Sequence, residues 1–196
     1  MKKMALLFAM LSLAGPALAN DKTFEDFHAV LHLGVTGGGD KIDSGYVDAS
    51  TGKAVTLSAG GLFQFGAGFE WKKPELPVSA RVTLNYHVDR TSASNGSVTF
   101  SRTPVEITAA YHVDEKILVG GGARLVSGIK YKSSVSGFST VSQNYDSTTG
   151  LLLQAAYRFN PKAEISARYV SEKYTISGYS GSLDGSHGGL FVAFIF

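Results

Sequence analysis

The sequence predicts an all-β protein, an eight-stranded antiparallel up-and-down transmembrane β-barrel. Three observations predict it. Eight stretches of about ten residues each alternate apolar and polar side chains with period two, as strands with one greasy and one polar face do. The connections between these stretches alternate in length, a short charged turn following a long polar loop. The last ten residues, His187 to Phe196, form an apolar strand in which Leu190, Val192, Phe194 and Phe196 share one parity. A strand so apolar needs a partner along its edge, and closure onto the first strand supplies one.

Residues 1–19 read as a secretory signal peptide. Lys2 and Lys3 precede an apolar run from Ala5 to Leu13 that is too short to span a bilayer as a helix. Gly15-Pro16 and the small-x-small site Ala17-Leu18-Ala19 follow. Residues 20–196 are then expected to form one barrel domain. Loss of Lys2 and Lys3 reduces 18 basic residues to 16, against 16 acidic ones, so nothing in the charge balance points to nucleic acid. Cysteine is absent, which excludes a disulfide framework and leaves packing and hydrogen bonds to hold the fold.

After a charged lead-in, Asn20 to Phe27, the first strand is His28 to Gly38, with Ala29, Leu31, Leu33 and Val35 opposite His28, His32 and Thr36. The second, Ala54 to Trp71, keeps Val55, Leu57, Phe63, Phe65, Phe69 and Trp71 on one parity throughout. In the third, Val78 to Val88, Val82 and Leu84 oppose Arg81, Thr83 and Asn85. The fourth, Val98 to Val113, carries Pro104 and a parity change near Phe100, which together indicate a bulge. The fifth, Ile117 to Lys132, places Val119, Leu125, Ile129 and Tyr131 on its apolar face. Ser147 to Phe159 and Ala163 to Ser177 are the sixth and seventh, and the terminal run is the eighth. Lys72–Pro77, Asp114–Lys116 and Asn160–Lys162 are the short turns; Gly39–Lys53, Asp89–Ser97, Ser133–Asp146 and Gly178–Ser186 are the long loops.

Alternation alone does not say which face meets water. The polar faces are rich in Gly, Ser, Thr and Ala, which suits a narrow lumen, and Lys gathers at strand ends. Aromatic residues are expected at two interfacial rims: Trp71, Tyr111, Tyr157, Phe159, Phe194 and Phe196 at one, Tyr86, Tyr131 and Tyr174 at the other. With the apolar faces outward, the lumen receives Glu70, Arg81, Glu106, Arg124, Arg158, Glu164, Arg168 and Glu172. Eight strands enclose little beyond their own side chains. These charges are therefore expected to pair as a structural network that plugs the lumen.

With its terminal Phe196, alternate apolar residues before it, and short turns opposite long loops, the chain resembles the small bacterial outer-membrane β-barrels of the OmpA membrane domain, OmpX/Ail and OmpW-like superfamily, in size the OmpA membrane domain or the OmpX/Ail type. The resemblance implies a Gram-negative cell outer membrane location with periplasmic termini. It implies that Phe194 and Phe196 belong to the signal read by the β-barrel assembly machinery, after transit with periplasmic chaperones. It also implies contact with outer-membrane lipid and lipopolysaccharide, a monomer, no cofactor, and a non-enzymatic role through the extracellular loops in surface interaction or envelope integrity.

Two alternatives accompany it: a lipid A-modifying enzyme, and a narrow porin-like channel for small or apolar solutes. For the enzyme, none of His28, His32, His87, His112 and His187 begins the His-x-Ser pattern of the deacylase type; His87 with Ser92, or His187 with Ser186, would have to serve. Asp40, Asp43, Asp48 and Asp184 lie in loops without the spaced ligands of a calcium loop. No catalytic residue and no metal ligand is assigned.

Overall fold

The computed structural model describes residues 26–196; the signal-peptide reading falls outside them. The described chain is all β. Its strands are β1 (Phe27–Gly38), β2 (Lys41–Val47), β3 (Ala54–Ser58), β4 (Leu62–Lys72), β5 (Val78–Ala93), β6 (Gly96–His112), β7 (Ile117–Val135), β8 (Val141–Asn144), β9 (Thr148–Asn160), β10 (Ala163–Ser171), β11 (Lys173–Thr175), β12 (Ser182–Asp184) and β13 (His187–Ile195). Eight of them, β1, β4, β5, β6, β7, β9, β10 and β13, form an antiparallel barrel, each beside its neighbours in sequence order. The ring closes where β13 pairs with β1, Val30 opposite Ile195 through Gly38 opposite His187. The terminal apolar strand therefore has both edges satisfied, by β1 and by β10.

Strand alternation sets the two faces. Leu31, Leu33, Phe65, Leu84, Ile107 and Leu153 belong to a belt of outward apolar side chains around the barrel, with Leu153 64% exposed. The intervening residues point inward and are buried. Three short turns lie at one end, and the first and last strands meet there: Ile195 N donates to Lys162 O at 2.9 Å and Phe196 N to Ala29 O at 2.9 Å.

At the other end the wall rises into a crown. The long connections expected as loops are mostly strand. β5 and β6 pair out to Ala93 opposite Gly96. β2–β3 and β11–β12 are hairpins, and β8 extends the sheet beside β7. The crown is stitched edge to edge. Asn95 Nδ2 donates to Val47 O at 3.1 Å, and Ser136 N to Asn95 O at 2.8 Å. Asp146 N donates to Thr175 O at 2.8 Å, and Asp40 N to Asp184 O at 2.7 Å.

Inside the crown Val55, Leu57, Ala59, Val98, Phe100, Val126, Ile129 and Tyr174 form a buried apolar core across the mouth. The Phe100 ring packs 5.6 Å from Tyr174 and 5.7 Å from Tyr145. Burial of each large side chain there stabilises by roughly 1.5–3 kcal/mol.

This core corrects three expectations. The second segment is two strands, broken at Ala59–Gly61. β3 leaves the wall to pair with β2 over the mouth, so Val55 and Leu57 are buried while Phe63 and Phe65, on the same parity, are exposed. The bulge expected in β6 has its extra residue in β7: Ser101 faces Lys130 and Thr103 faces Ser127. Gly128 adopts φ +61 there, a conformation glycine reaches without a Cβ penalty. The face of β7 thereby reverses, which turns Ile129 inward and Lys130 outward, whereas β6 keeps one parity through Phe100, Arg102, Pro104 and Glu106. Of the aromatics expected at this rim only Tyr86 is exposed; Tyr174 is fully buried and Tyr131 packs against the crown core.

Candidate functional site

The turn end of the barrel opens into a vestibule of about 530 Å³, lined by His28, Lys72, Glu115, Lys116, Phe159 and, at its floor, Glu70 and Arg158. Above this floor the lumen is filled by side chains. The eight charged residues assigned to it from sequence are all buried there.

They fall into two clusters. The one nearer the turns is a square of two arginines and two glutamates. Arg81 lies 2.5 Å from Glu70 and 2.7 Å from Glu164; Arg158 lies 3.0 Å from Glu70 and 2.8 Å from Glu164. Register makes two sides of the square, because Glu70 is opposite Arg81 on β4–β5 and Glu164 opposite Arg158 on β9–β10. The other two sides cross the lumen and tie opposite walls together.

The cluster nearer the crown is built on Glu106 and Glu172. Glu106 receives Arg124 at 2.6 Å on one oxygen and Arg168 at 3.3 Å on the other. Glu172 lies 2.9 Å from Arg124 Nε and 3.7 Å from Arg102. Gln64 joins the pair, donating to Glu106 at 2.9 Å and accepting from Arg124 at 2.9 Å. His87 accepts from Arg124 Nη2 at Nδ1, 3.0 Å, with its Nε2 2.8 Å from Thr36 Oγ1. The Arg168 guanidinium stacks 4.4 Å above the Phe191 ring, and His32 holds Asn85 beside it. Gly34 makes room for that ring: a Cβ there would come 2.3 Å from Phe191 Cδ1.

Arg102 was not singled out from sequence, although it shares the inward parity of Glu106 and is fully buried. The signal was present in the period-two run Phe100, Arg102, Pro104, Glu106, masked by the parity change assigned near Phe100. Its guanidinium lies over Phe100 and Tyr174, at 5.3 and 5.8 Å, between the charged layer and the apolar crown. Tyr174 in turn donates its hydroxyl to Glu172. With Asp89, five carboxylates and five arginines are buried among the described residues, so the interior charge balances. An unpaired buried charge would cost several kcal/mol.

The His/Ser pairs considered for catalysis do not meet. His87 is buried in the upper cluster while Ser92 is exposed on the crown. His187 Nδ1 is 2.7 Å from Gly185 O, and Ser186 Oγ accepts from Glu172 N at 3.3 Å. Among the described residues no group of three or more His, Asp or Glu side chains is placed to hold a metal.

Phe194 and Phe196 face outward at the turn end, Phe194 between Leu31 and Ala163. At the tip of the crown Asp48 accepts from Ser50 N, Ser50 Oγ and Ser94 Oγ at 2.9, 2.8 and 2.7 Å. The backbone donor at Ser50 first, then the two hydroxyls, hold its carboxyl well below the usual range.

No protein-family model matches the chain, and no curated protein does. Solved structures do. The chain is similar to Ail, the attachment invasion locus protein of Yersinia pestis, solved in complex with the heparin analogue sucrose octasulfate. The identity is 13%, over 87% of this chain and 97% of that one, with a TM-score of 0.52. It is similar also to neisserial surface protein A, at 12% identity over 88% of this chain and 98% of that one, with a TM-score of 0.51. At such identities the likeness concerns architecture, and the architecture agrees with the strand count and closure described above: the chain has the fold of the small eight-stranded outer-membrane β-barrels.

Proposed function

We propose that the chain is a non-enzymatic integral protein of a bacterial outer membrane, with its turn end and both chain ends in the periplasm, that acts through the crown it holds above the lipid. The observation that carries this reading is the division of the interior. An apolar core lies across the crown end, two ion-pair clusters fill the middle, and the vestibule of about 530 Å³ lies at the turn end. Such an interior suits a rigid plug. The charges then serve to fix the cross-section of the barrel, and the crown, tied strand to strand, presents a preorganised surface.

The belt of exposed Leu, Val, Ile and Phe supports the membrane placement, since water would oppose so large an apolar surface. Phe194 and Phe196, outward at the edge of this belt, are proposed as part of the assembly signal. The rival lipid A-modifying activity is separated by mass spectrometry of lipid A from cells with and without the protein. The proposal expects identical spectra. A gained or lost acyl chain that depends on the protein would contradict it.

A further inference from the structure

Two turns of the crown are copies of one another. Val135-Ser136-Gly137-Phe138-Ser139 leads from β7 toward β8, and Ile176-Ser177-Gly178-Tyr179-Ser180 leads from β11 toward β12. Phe138 N donates to Val135 O at 3.1 Å, and Tyr179 N to Ile176 O at 3.0 Å. Gly137 and Gly178 adopt φ +82 and +86, and among the described residues only glycines have positive φ. Each is therefore a type II turn, with glycine third and the aromatic residue fourth. The two rings are the most exposed large apolar side chains among the described residues, Phe138 at 79% and Tyr179 at 75%.

The turns also share their surroundings. Residues 133–145 and 175–183 contain no charged side chain. Exposed hydroxyls flank both rings, from Ser136, Ser139 and Thr140 on one side and from Ser180 and Ser182 on the other. Both turns are fastened. Ser136 N donates to Asn95 O at 2.8 Å. Below β8, Asp146 N donates to Thr175 O at 2.8 Å, and Asp146 Oδ1 accepts from Ser177 Oγ at 2.8 Å. The four residues of β8 carry the first turn about 13 Å up from that junction. The rings thus stand at different heights on neighbouring parts of the crown.

An aromatic ring held in water on a tied turn is a flat apolar platform that loses little conformational entropy when used. With no charge beside either ring, an ionic partner gains no complementary group. A protein partner needs a broad patch with an apolar centre, which two separate turns do not make. An uncharged sugar chain fits both features. Each pyranose offers an apolar face of C–H bonds to a ring, and hydroxyls around its edge to the Ser and Thr hydroxyls. Both turns lie at the end of the crown away from the apolar belt, where they meet what lies beyond this membrane. We propose that Phe138 and Tyr179 form a docking surface for an uncharged oligosaccharide displayed on another surface, each ring stacking on one sugar. The proposal rests on the reading that the protein acts through its crown.

The test uses protein in phosphatidylcholine nanodiscs and three uncharged probes, cellohexaose, chitohexaose and galactohexaose, followed by saturation-transfer NMR and titration. Wild type should bind at least one of them, with saturation strongest on the C–H protons of the sugar rings. F138S and Y179S should each weaken that binding about tenfold, the size of one lost ring contact. F138L/Y179L, which keeps apolar bulk without a flat ring, should lose binding as well, and F138W/Y179W should keep it. No binding of any probe by folded wild type would overturn the proposal, as would full binding by F138L/Y179L. So would binding confined to a sulfated hexasaccharide, because charge would then decide. Ring-dependent pairing of two loaded nanodiscs, or capture of phosphatidylcholine vesicles, in place of sugar binding would also overturn it and assign the rings to a second copy or to lipid. Insertion is followed separately by heat-modifiable migration on gels: an inserted barrel that binds no sugar refutes the docking surface alone, whereas failure of wild type to insert refutes the membrane placement itself.

Discussion

Arg168 meets Glu106 across the lumen at 3.3 Å, and among the described residues Glu106 is the only carboxylate with which it forms an ion pair. Arg124, the other partner of Glu106, also has Glu172 at 2.9 Å. The two arginines therefore differ in what they lose when Glu106 is removed. Glu106→Ala should destabilise detergent-folded barrel by about 3–5 kcal/mol, because Arg168 is left buried without a counter-charge. Adding Arg168→Met should recover part of that loss, while adding Arg124→Met should recover less, since it takes from Glu172 the closer of its two arginines and leaves it Arg102 at 3.7 Å. Thermal unfolding of the three variants followed by circular dichroism checks the order.

The register assigns Leu84, Ala109 and Leu153 to the outer face and Arg81, Thr108 and Gln154 to the lumen. Single cysteines at the first three positions should react with a lipid-phase reagent and those at the last three should not. Leu153→Arg should cost roughly 2–4 kcal/mol in a bilayer. Labelling on the Arg81 parity would show the apolar face to be the interior.

Phe196 directly follows the strand that closes the ring, and its amide donates to Ala29 O at 2.9 Å. Phe196→Asp places a charge beside Phe194 at the edge of the belt. The variant should accumulate unassembled and be degraded, with surface protein reduced several-fold. Fractionated cell envelopes read this directly.

Tyr174 is fully buried in the crown and bonded to Glu172. Tyr174→Ala should cost about 3–5 kcal/mol, as large-to-small changes at packed aromatic sites do. Amide exchange should then rise in β3, β11 and β12 while the barrel strands stay protected.

Beside the Asn95–Val47 bond, a second tie between the β2–β3 hairpin and the β5–β6 turn, Ser94 Oγ to Asp48, depends on ionised Asp48. Its carboxyl is held below its ordinary value of 3.8 by the donors at Ser50 and Ser94. A group depressed in this way contributes fully above the ordinary value, and the contribution is lost as pH falls through the lower, folded-state one. The amide resonances of Ser50 and Ser94 should hold their positions down to pH 4 and move only below it. In Asp48→Asn they should show no such transition.

Much of the barrel could be read from residue order alone. Period-two alternation located the walls, and it also named eight of the buried lumenal charges, because the lumen shows the same parity as the polar face of each strand. The crown was less legible. Val55, Leu57 and Ile129 look like wall residues, since an apolar side chain reads the same whether it faces lipid or a second, enclosed core. What separates the two cases is the break at Ala59–Gly61 and the left-handed Gly128, each a local backbone event that leaves the alternation of residue types nearly untouched. Arg102 was missed for the same reason, beside an apolar stretch assigned to the wrong side. Cross-lumen partners such as Arg81 and Glu164 are 83 residues apart and depend on the curvature of the closed ring.

A barrel whose interior is a structural plug, with its working surface outside the lumen, should pass no current. Single-channel recording on purified wild-type protein in planar bilayers should show a silent baseline, with no discrete steps at any applied voltage that leaves the bilayer intact. Reproducible steps that change size or vanish in Glu106→Gln, in protein that remains fully folded, would contradict it and make the lumen the working element.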